Sequence, residues 1–372
     1  MSRIGRGPTR REALVAIPSL ATVVGATRVP TGTLRALGAK AGVTVGAAVG
    51  VGSLRDPVLR ALLLDQCATL TPEYEWKWAA VAPAAGRYDF ADADRIAAFA
   101  RAGRWRVRGH ALLWHRSIPD WAAAELASGA DWALVGGHIR AMIGRYGGLV
   151  DEWDVVNEPI EIGARGDGLR DSPYLQAFGR DYIARALTQA HAAAPKARLL
   201  INEYGLEYGS PEHGARRAAL LALLRSLVAR GVPLHGLGLQ AHLNLNKGAI
   251  DTTALRALAD GVAALGLGLS VTELDVKERD YTLPAAERDR LVGAHVAQFL
   301  AAVLPQRATR SLSCWGMTDR FSWLEVTAAD RARFPGAWTD GSSPGLNRGL
   351  PYDADGHAKP MRAAIAAALM RL

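Results

Sequence analysis

Short runs of apolar and β-branched residues recur along the chain and alternate with longer stretches in which apolar residues have helical spacing. The short runs predict eight strands, at residues 43–49, 67–71, 105–110, 153–157, 198–204, 235–242, 267–275 and 311–318. The clearest helical patterns lie between them, at residues 92–102, 174–194, 212–230, 252–265 and 285–304. Strands that alternate with helices of this length predict βαβ units and a parallel sheet, and eight of them close into a (β/α)8 TIM barrel.

Two predicted strands end in a glutamate. Glu158 lies between Asn157 and Pro159, and Glu273 follows an apolar run at residues 267–271. A continuous apolar run is typical of a buried parallel strand, and barrel enzymes carry their reactive groups at the C-terminal ends of such strands. Hydrolysis of a glycosidic bond needs two carboxyl groups, one to protonate the leaving oxygen and one to meet the positive charge on the sugar. The alternative interpretation is a pair of surface carboxylates, because most Glu side chains are exposed.

Polar and aromatic residues also follow other predicted strands, as expected when one pocket draws on several strands. They fall at residues 73–78, 108–115, 240–242 and 314–323. Aromatic rings stack on the apolar faces of sugars, while Asn, Gln, His and Lys form hydrogen bonds with hydroxyl groups. A cleft of this composition suits a neutral polysaccharide.

Six motifs follow in order, each at a predicted strand end: T-P-E-x-E-x-K-W, R-G-H-x-L-x-W-H, W-D-V-V-N-E-P, Q-x-H, T-E-L-D and W-G-x-x-D-x-x-S-W. Through them the chain, from about Leu34 to its C-terminus, closely resembles the glycoside hydrolase family 10 xylanases. The resemblance implies a TIM-barrel endo-β-1,4-xylanase that acts on xylan or xylo-oligosaccharides with retention of configuration. It implies Glu158 as the acid/base and Glu273 as the nucleophile.

The resemblance also implies how substrate is bound. Asn157 would bond the sugar 2-hydroxyl, His242 and Gln240 would orient Glu273 and keep it charged, and Tyr204 would stack on the leaving-group side. Residues of the second and third strands would line the non-reducing side, and tryptophans after the last strand would crowd out the C6 hydroxymethyl group of glucose. The implied substrate-binding residues are Glu73, Lys77, His110, Trp114, Asn157, Tyr204, Gln240, His242, Trp315 and Trp323.

Three residues depart from the family pattern. Tyr74 stands where the family usually has Asn, Glu203 where Asp is usual, and Gly205 where a second Asn often follows the Tyr. They lie in the implied substrate-binding ring, so they bear on substrate preference rather than on the catalytic pair. Two alternatives stay open: a β-1,4-glucanase on the same barrel, and a non-catalytic carbohydrate-binding protein. Binding alone, however, needs no proton donor opposite a nucleophile.

Composition and charge limit which other classes of protein the chain could belong to. With 372 residues, 49% hydrophobic and 22% charged, residues 31–372 suit one catalytic barrel domain. The net charge of +8 is compatible with a nucleic-acid partner, but the arginines are scattered along helical stretches, so we expect none. His110 and His115 lack a third ligand, and Cys67 and Cys314 lack paired spacing. We therefore expect no metal, no cofactor and two buried thiols, whose pairing stays open.

Residues 1–30 predict an export signal with a short linker. Arg10 and Arg11 precede an apolar stretch at residues 15–26, which resembles a twin-arginine signal with a small-residue cleavage site at residues 24–26. The stretch is shorter than the roughly 20 residues that span a bilayer. We expect a monomer, periplasmic or extracellular, without a membrane partner. The alternative is a basic amphipathic start to a cytoplasmic protein.

Overall fold

The structure is a computed structural model that describes residues 32–129, 131–278, 283–325 and 347–372, so the predicted export signal lies outside the described residues. Its strands are β1 Thr44–Val49, β2 Thr69–Pro72, β3 Arg106–Gly109, β4 Leu113–Trp114, β5 Val150–Asn157, β6 Arg198–Glu203, β7 Gly236–Leu239, β8 His242–Asn244, β9 Gly268–Lys277 and β10 Thr309–Cys314. Parallel pairs run in the order β1-β2-β3-β5-β6-β7-β9-β10, and β10 pairs with β1. The predicted (β/α)8 TIM barrel is confirmed. The short strands β4 and β8 extend it by pairing with β5 and β9.

Helices connect the strands. In the described ranges the α-helices are Leu34–Ala41, Pro57–Gln66, Trp78–Val81, Ala91–Ala102, Asp120–Ala127, Ala133–Tyr146, Pro173–Phe178, Tyr182–Ala193, Pro211–Ala229, Thr252–Ala264, Ala285–Val303 and Pro360–Leu369. Among these described helices, none combines the length and the apolar character needed to cross a membrane.

Local sequence sets the start of several helices, and thereby the end of the loop before each. Asp56, Ser172 and Ser210 each precede a proline at the first helical position, and each side chain accepts a hydrogen bond from a backbone N–H of the first turn. Proline tolerates this position because its missing N–H would have no helical partner there. The loop after β6, which carries Tyr204, is ended in this way by Ser210.

Two predicted elements are each split in the structure. The helix predicted at residues 174–194 is broken at Gly179, where φ is 64° and the N–H donates to Leu175 O at 2.8 Å. The strand predicted at residues 235–242 ends as β7 at Leu239 and resumes as β8, because Ala241 has φ of 62°. Both breaks place a residue in the left-handed region, which regular elements do not use.

The interior of the barrel holds charged residues that pair with one another. Arg108 on β3 donates to Glu152 at 3.1 Å and to Asp154, both on β5. Arg198 on β6 and Ser270 on β9 also donate to Glu152, at 2.8 and 3.1 Å. Buried charges need partners of this kind, because an unpaired charge in a protein interior is strongly destabilising. The network links four strands directly beneath the carboxyl ends where the cleft lies.

Both cysteines lie in the described part of the chain. Cys67 and Cys314 are buried free thiols, as expected, and they do not pair.

The loop predicted at residues 319–360 is described only at its two ends. Lys359 joins these ends by donating to Asp319 at 2.5 Å.

Candidate active site

A cleft of about 330 Å³ opens at the carboxyl ends of the barrel strands. All of the predicted site residues except Glu73 lie on its wall. Those residues are Lys77, His110, Trp114, Asn157, Glu158, Tyr204, Gln240, His242, Glu273, Trp315 and Trp323. Side chains that are far apart in the sequence therefore meet in one site, as the strand-end pattern predicted.

The neighbours Glu73 and Tyr74 differ in their relation to the cleft. Glu73 follows β2 and lies near Gly50, outside the residues of the cleft wall, so its binding role stays a prediction. Tyr74 does line the cleft. Its ring lies 4.7 Å from Nζ of Lys77, a cation–π contact.

Lys77 is buried between aromatic rings. Its Nζ lies 4.4 Å from the ring centroid of Trp114 and 5.8 Å from that of Trp315, in addition to Tyr74. Burial lowers the pKa of Lys77, and the carboxylates around it, Glu273 first among them, oppose that shift. The rings therefore hold one cation at a fixed place near the carboxylates of Glu273 and Glu158.

Glu158 sits on a strained backbone directly after β5. Its φ is 58°, and its N–H donates to Asn202 O at 2.8 Å. A non-glycine residue in this region persists only where its surroundings hold it, which is common at functional sites. Its Oε1 accepts from the amides of Asn157 and Gln240, each at 3.3 Å. The side chain of Gln240 thus contacts Glu158, whereas Gln240 meets Glu273 through the backbone, its oxygen accepting from the Glu273 N–H at 3.0 Å. This corrects the side-chain contact with Glu273 that was expected of Gln240.

Glu273 on β9 is buried and held by two short hydrogen bonds. Its Oε1 accepts from Asn202 Nδ2 at 2.6 Å, and its Oε2 lies 3.0 Å from His242 Nε2. Burial alone would raise the pKa of Glu273, but interactions with His110 and His242, followed by Arg108, lower it to about 2. Glu273 is therefore ionised across the pH range in which proteins are folded.

His242 is fixed at both ring nitrogens. Nδ1 lies 2.8 Å from Asp275 Oδ1, while Nε2 faces Glu273. Burial would lower the pKa of His242, but the charge of Asp275 and hydrogen bonds to both carboxylates raise it well above its ordinary value. Trp323 Nε1 donates to the other oxygen of Asp275. The orienting contact expected between His242 and Glu273 is present, and Asp275 fixes the orientation of the imidazole ring through Nδ1.

His110, Asp154 and Glu273 place ligand-type atoms within 4.8 Å of one another. Asp154 lies 2.8 Å from Nδ1 of His110 and also accepts from Arg108. The guanidinium of Arg108 already balances the charge of Asp154, so this group functions as an ion-pair network under the cleft. A second, exposed group in the described ranges comprises Asp353, Asp355 and His357.

Tyr204 forms part of the wall on the β6 side. The Arg216 guanidinium lies 4.4 Å from its ring centroid, and Arg170 donates to its hydroxyl at 3.1 Å. Arg170 also donates to the backbone oxygen of Glu158 at 2.8 Å. Glu203 is fully buried behind this group, and burial raises its pKa to about 8 although Arg216 opposes the shift.

Three residues that the sequence did not single out support the site: Asn202, Asp154 and Arg170. Asp154 stands between the apolar Trp153 and Val155, and Asn202 follows the apolar run at residues 199–201, and this is a signal that could have marked them. Arg170 gives no such signal, because it lies in an irregular segment and reaches Glu158 only through the fold.

The two glutamates of the cleft have different surroundings. Glu158 accepts hydrogen bonds from neutral amides and its side chain is 12% exposed, whereas Glu273 accepts from Asn202 and charged His242 and is 5% exposed. Hydrogen bonds and positive charge favour the ionised form of a carboxyl group. The surroundings therefore hold Glu273 as a carboxylate, while Glu158 lies on the same cleft wall with hydrogen bonds from neutral amides.

Comparisons with known proteins agree with this geometry. The family model described as Glycosyl hydrolase family 10 matches residues 33–368. Endo-1,4-beta-xylanase A of Fusarium oxysporum f. sp. lycopersici is 32% identical over 287 residues, which cover 73% of this chain and 81% of that protein. Beta-1,4-xylanase of Dictyoglomus thermophilum is 32% identical over 292 residues, 76% of this chain and 79% of that protein. The crystal structure of xylanase 10B from Thermotoga petrophila RKU-1 in complex with xylobiose matches with a TM-score of 0.77 and 26% identity, over 92% and 98% of the two chains.

Proposed function

The chain belongs to glycosyl hydrolase family 10 and is a glycoside hydrolase, and from that premise we propose that it is an endo-1,4-β-xylanase that cleaves internal bonds of xylan with retention of configuration. The relatives whose names describe xylanases support the substrate. The unlike surroundings of Glu158 and Glu273 are the single observation that carries the mechanism.

In the first step, protonated Glu158 gives its proton to the glycosidic oxygen while ionised Glu273 attacks the anomeric carbon. The bond to the leaving sugar breaks, and a covalent glycosyl-enzyme forms through an oxocarbenium-like transition state. Glu158, now ionised, then takes a proton from water, and the water oxygen displaces Glu273 from the sugar. Two displacements at the same carbon restore the original configuration.

The rest of the wall supports these steps. Asn157 is fixed, because its Oδ1 accepts from Asn202 at 2.8 Å and from Gln240 at 3.2 Å. This places a polar group next to the reacting sugar, where a hydrogen bond to the 2-hydroxyl would strengthen in the transition state. Trp315 and Trp323 close the wall, and we infer that they disfavour the larger ring substituent of glucose.

Release of reducing sugar from xylan, carboxymethylcellulose and mannan, measured side by side, tests the proposed substrate. We expect activity on xylan to exceed that on the other two. Higher activity on carboxymethylcellulose would assign a glucanase, and none on any polymer would assign a binding protein.

The roles of the two glutamates can be separated with aryl xylobiosides. Glu158→Ala should keep turnover of substrates with good leaving groups, because these depart without a proton. Glu273→Ala should lose turnover on every substrate, because no carboxylate remains to form the intermediate. Equal losses for the two variants on the activated substrate would refute the assignment of roles.

We further propose that residues 1–30 form a twin-arginine export signal and that residues 31–372 act as a monomeric domain in the periplasm or outside the cell. The arginine pair and the apolar stretch after it support the export route.

A further inference from the structure

The two carboxylates divide the ring of strands into unequal arcs. Glu158 follows β5 and Glu273 lies on β9, so β6 and β7 form the short arc while β10, β1, β2 and β3 form the long arc. A polysaccharide that crosses between the carboxylates places its two ends over different arcs. Lys77 and Trp114 lie on the long arc, and the family resemblance implies that they line the non-reducing side of the substrate. The short arc therefore receives the leaving group.

Glu207 lies in the loop after β6, on the short arc, and lines the cleft. It is only 1% exposed. Its Oε2 accepts from the Leu206 N–H at 2.8 Å, while its Oε1 is buried and has no hydrogen-bond partner. Buried carboxylate oxygens are almost always paired, so an unpaired one on a cleft wall calls for an explanation, and a donor that arrives with the ligand is one.

Gly205, also on the cleft wall, presents no side chain; its φ is 67°, and an added Cβ would lie 3.2 Å from Nε of Arg216. Burial raises the pKa of Glu207, and backbone hydrogen bonds from Glu207 itself and Leu206, followed by the charges of Lys247 and His242, oppose that shift. Nζ of Lys247 lies 3.3 Å from Nε2 of His213.

We propose that Oε1 of Glu207 accepts a hydrogen bond from a hydroxyl group of the sugar on the leaving-group side, which makes Glu207 a specificity-determining residue. The inference rests on the proposed function, because it takes the leaving group to be a sugar. A hydroxyl supplies the donor that this oxygen lacks, and a bond to a carboxylate is stronger than one to a neutral acceptor.

Two substrates separate this role from a structural one. Xylopentaose places sugar hydroxyls over the short arc, whereas an aryl xylobioside has an aromatic leaving group without them. Glu207→Gln, which keeps the size of the side chain and removes its charge, should lower kcat/KM for xylopentaose by about tenfold. It should leave kcat/KM for the aryl xylobioside within about twofold, because that substrate never uses the contact.

The position of cleavage gives a second readout. With xylopentaose labelled at its reducing end, weaker binding on the leaving-group side should shift cuts toward the reducing end and release shorter labelled products. Glu212→Gln is the matched control. Glu212 lies in the first turn of the helix Pro211–Ala229, its side chain is 68% exposed, and it does not line the cleft. Its cleavage pattern should equal that of the wild type.

Equal losses on both substrates with an unchanged cleavage pattern would overturn the proposal and leave Glu207 a structural residue. If Glu207→Gln does not fold, wild-type enzyme can transfer xylobiosyl groups to O4 of benzyl β-xyloside and of its 2-deoxy and 3-deoxy analogues, which keep the reacting hydroxyl. One of the two deoxy acceptors should then react about tenfold more slowly, and equal rates for all three acceptors would overturn the proposal. Wild-type enzyme inactive on xylan would instead refute the proposed function.

Discussion

Nδ2 of Asn202 donates to Oε1 of Glu273 at 2.6 Å and to Oδ1 of Asn157 at 2.8 Å, so one amide on β6 ties the nucleophile to the neighbour of the acid/base. The Asn202 side-chain oxygen accepts in turn from Thr272 at 2.8 Å. Asn202 is fully buried. The relative position of the two reactive carboxylates therefore depends on this side chain.

Asn202→Ala should lower kcat by about 10- to 100-fold, because hydrogen bonds to charged groups contribute roughly 1.5–3 kcal/mol. It should also lower the melting temperature, since buried partners on Asn157 and Thr272 lose their bonds. Steady-state kinetics and thermal unfolding check both effects. Asn246→Ala, at an exposed position, is the control. Wild-type kcat in Asn202→Ala would show that Glu273 does not depend on this amide.

His242→Gln should move the acidic limb of the kcat/KM pH profile to higher pH. His242 lowers the pKa of Glu273, and the wild-type nucleophile, with a pKa of about 2, stays ionised until very low pH. Without the imidazolium the pKa rises, so activity is lost earlier as the pH falls, by about one to three pH units. His357→Gln, on an exposed loop, serves as the control. An unmoved acidic limb would exclude His242 as the group that keeps Glu273 charged.

Tyr74→Asn should lower KM for short unbranched xylo-oligosaccharides. An amide can both donate to and accept from sugar hydroxyls, and one such bond is worth about 0.5–1.5 kcal/mol, or roughly two- to tenfold in KM. Substrates held mainly on the leaving-group side should change little, because Tyr74 lies against Lys77 on the opposite arc. A higher KM across all substrates would instead identify Tyr74 as a stacking platform.

Arg10→Lys combined with Arg11→Lys should keep the protein in the cytoplasm, because the twin-arginine pathway recognises that pair as its targeting signal. Activity in cell fractions measures the distribution, and Arg3→Lys with Arg6→Lys, outside the pair, is the matched control. Unchanged export of the double variant would discard the twin-arginine route while leaving the enzymatic account intact.

The barrel was predictable because each strand is a short apolar run and each intervening stretch has helical spacing. The breaks at Gly179 and Ala241 were not, because a left-handed residue is set by contacts that the local pattern does not contain. At Ala241 the break turns Gln240 toward Glu158 while His242 faces Glu273. Gln240 therefore lies in the cleft as predicted, but its side chain bonds Asn157 and Glu158, and only its backbone oxygen bonds Glu273.

Glu158 and Glu273 could be singled out from sequence because each ends a strand beside other polar residues. Apart from the expected contact between His242 and Glu273, the pairing of their supports could not, since the contacts join distant parts of the chain. Asn202 and Glu273 are 71 residues apart, and Arg108 and Asp154 are 46 apart. Glu207 shows the same limit, because only the fold reveals that one of its oxygens is buried without a partner.

The central claim is that Glu158 and Glu273 hydrolyse xylosidic bonds by double displacement. Proton NMR of xylohexaose hydrolysis, recorded before the products mutarotate, tests it most directly. Retention predicts that the β-anomer of the new reducing end appears first and the α-anomer grows in later. Initial release of the α-anomer would contradict the account, because a single displacement by water would then be the mechanism.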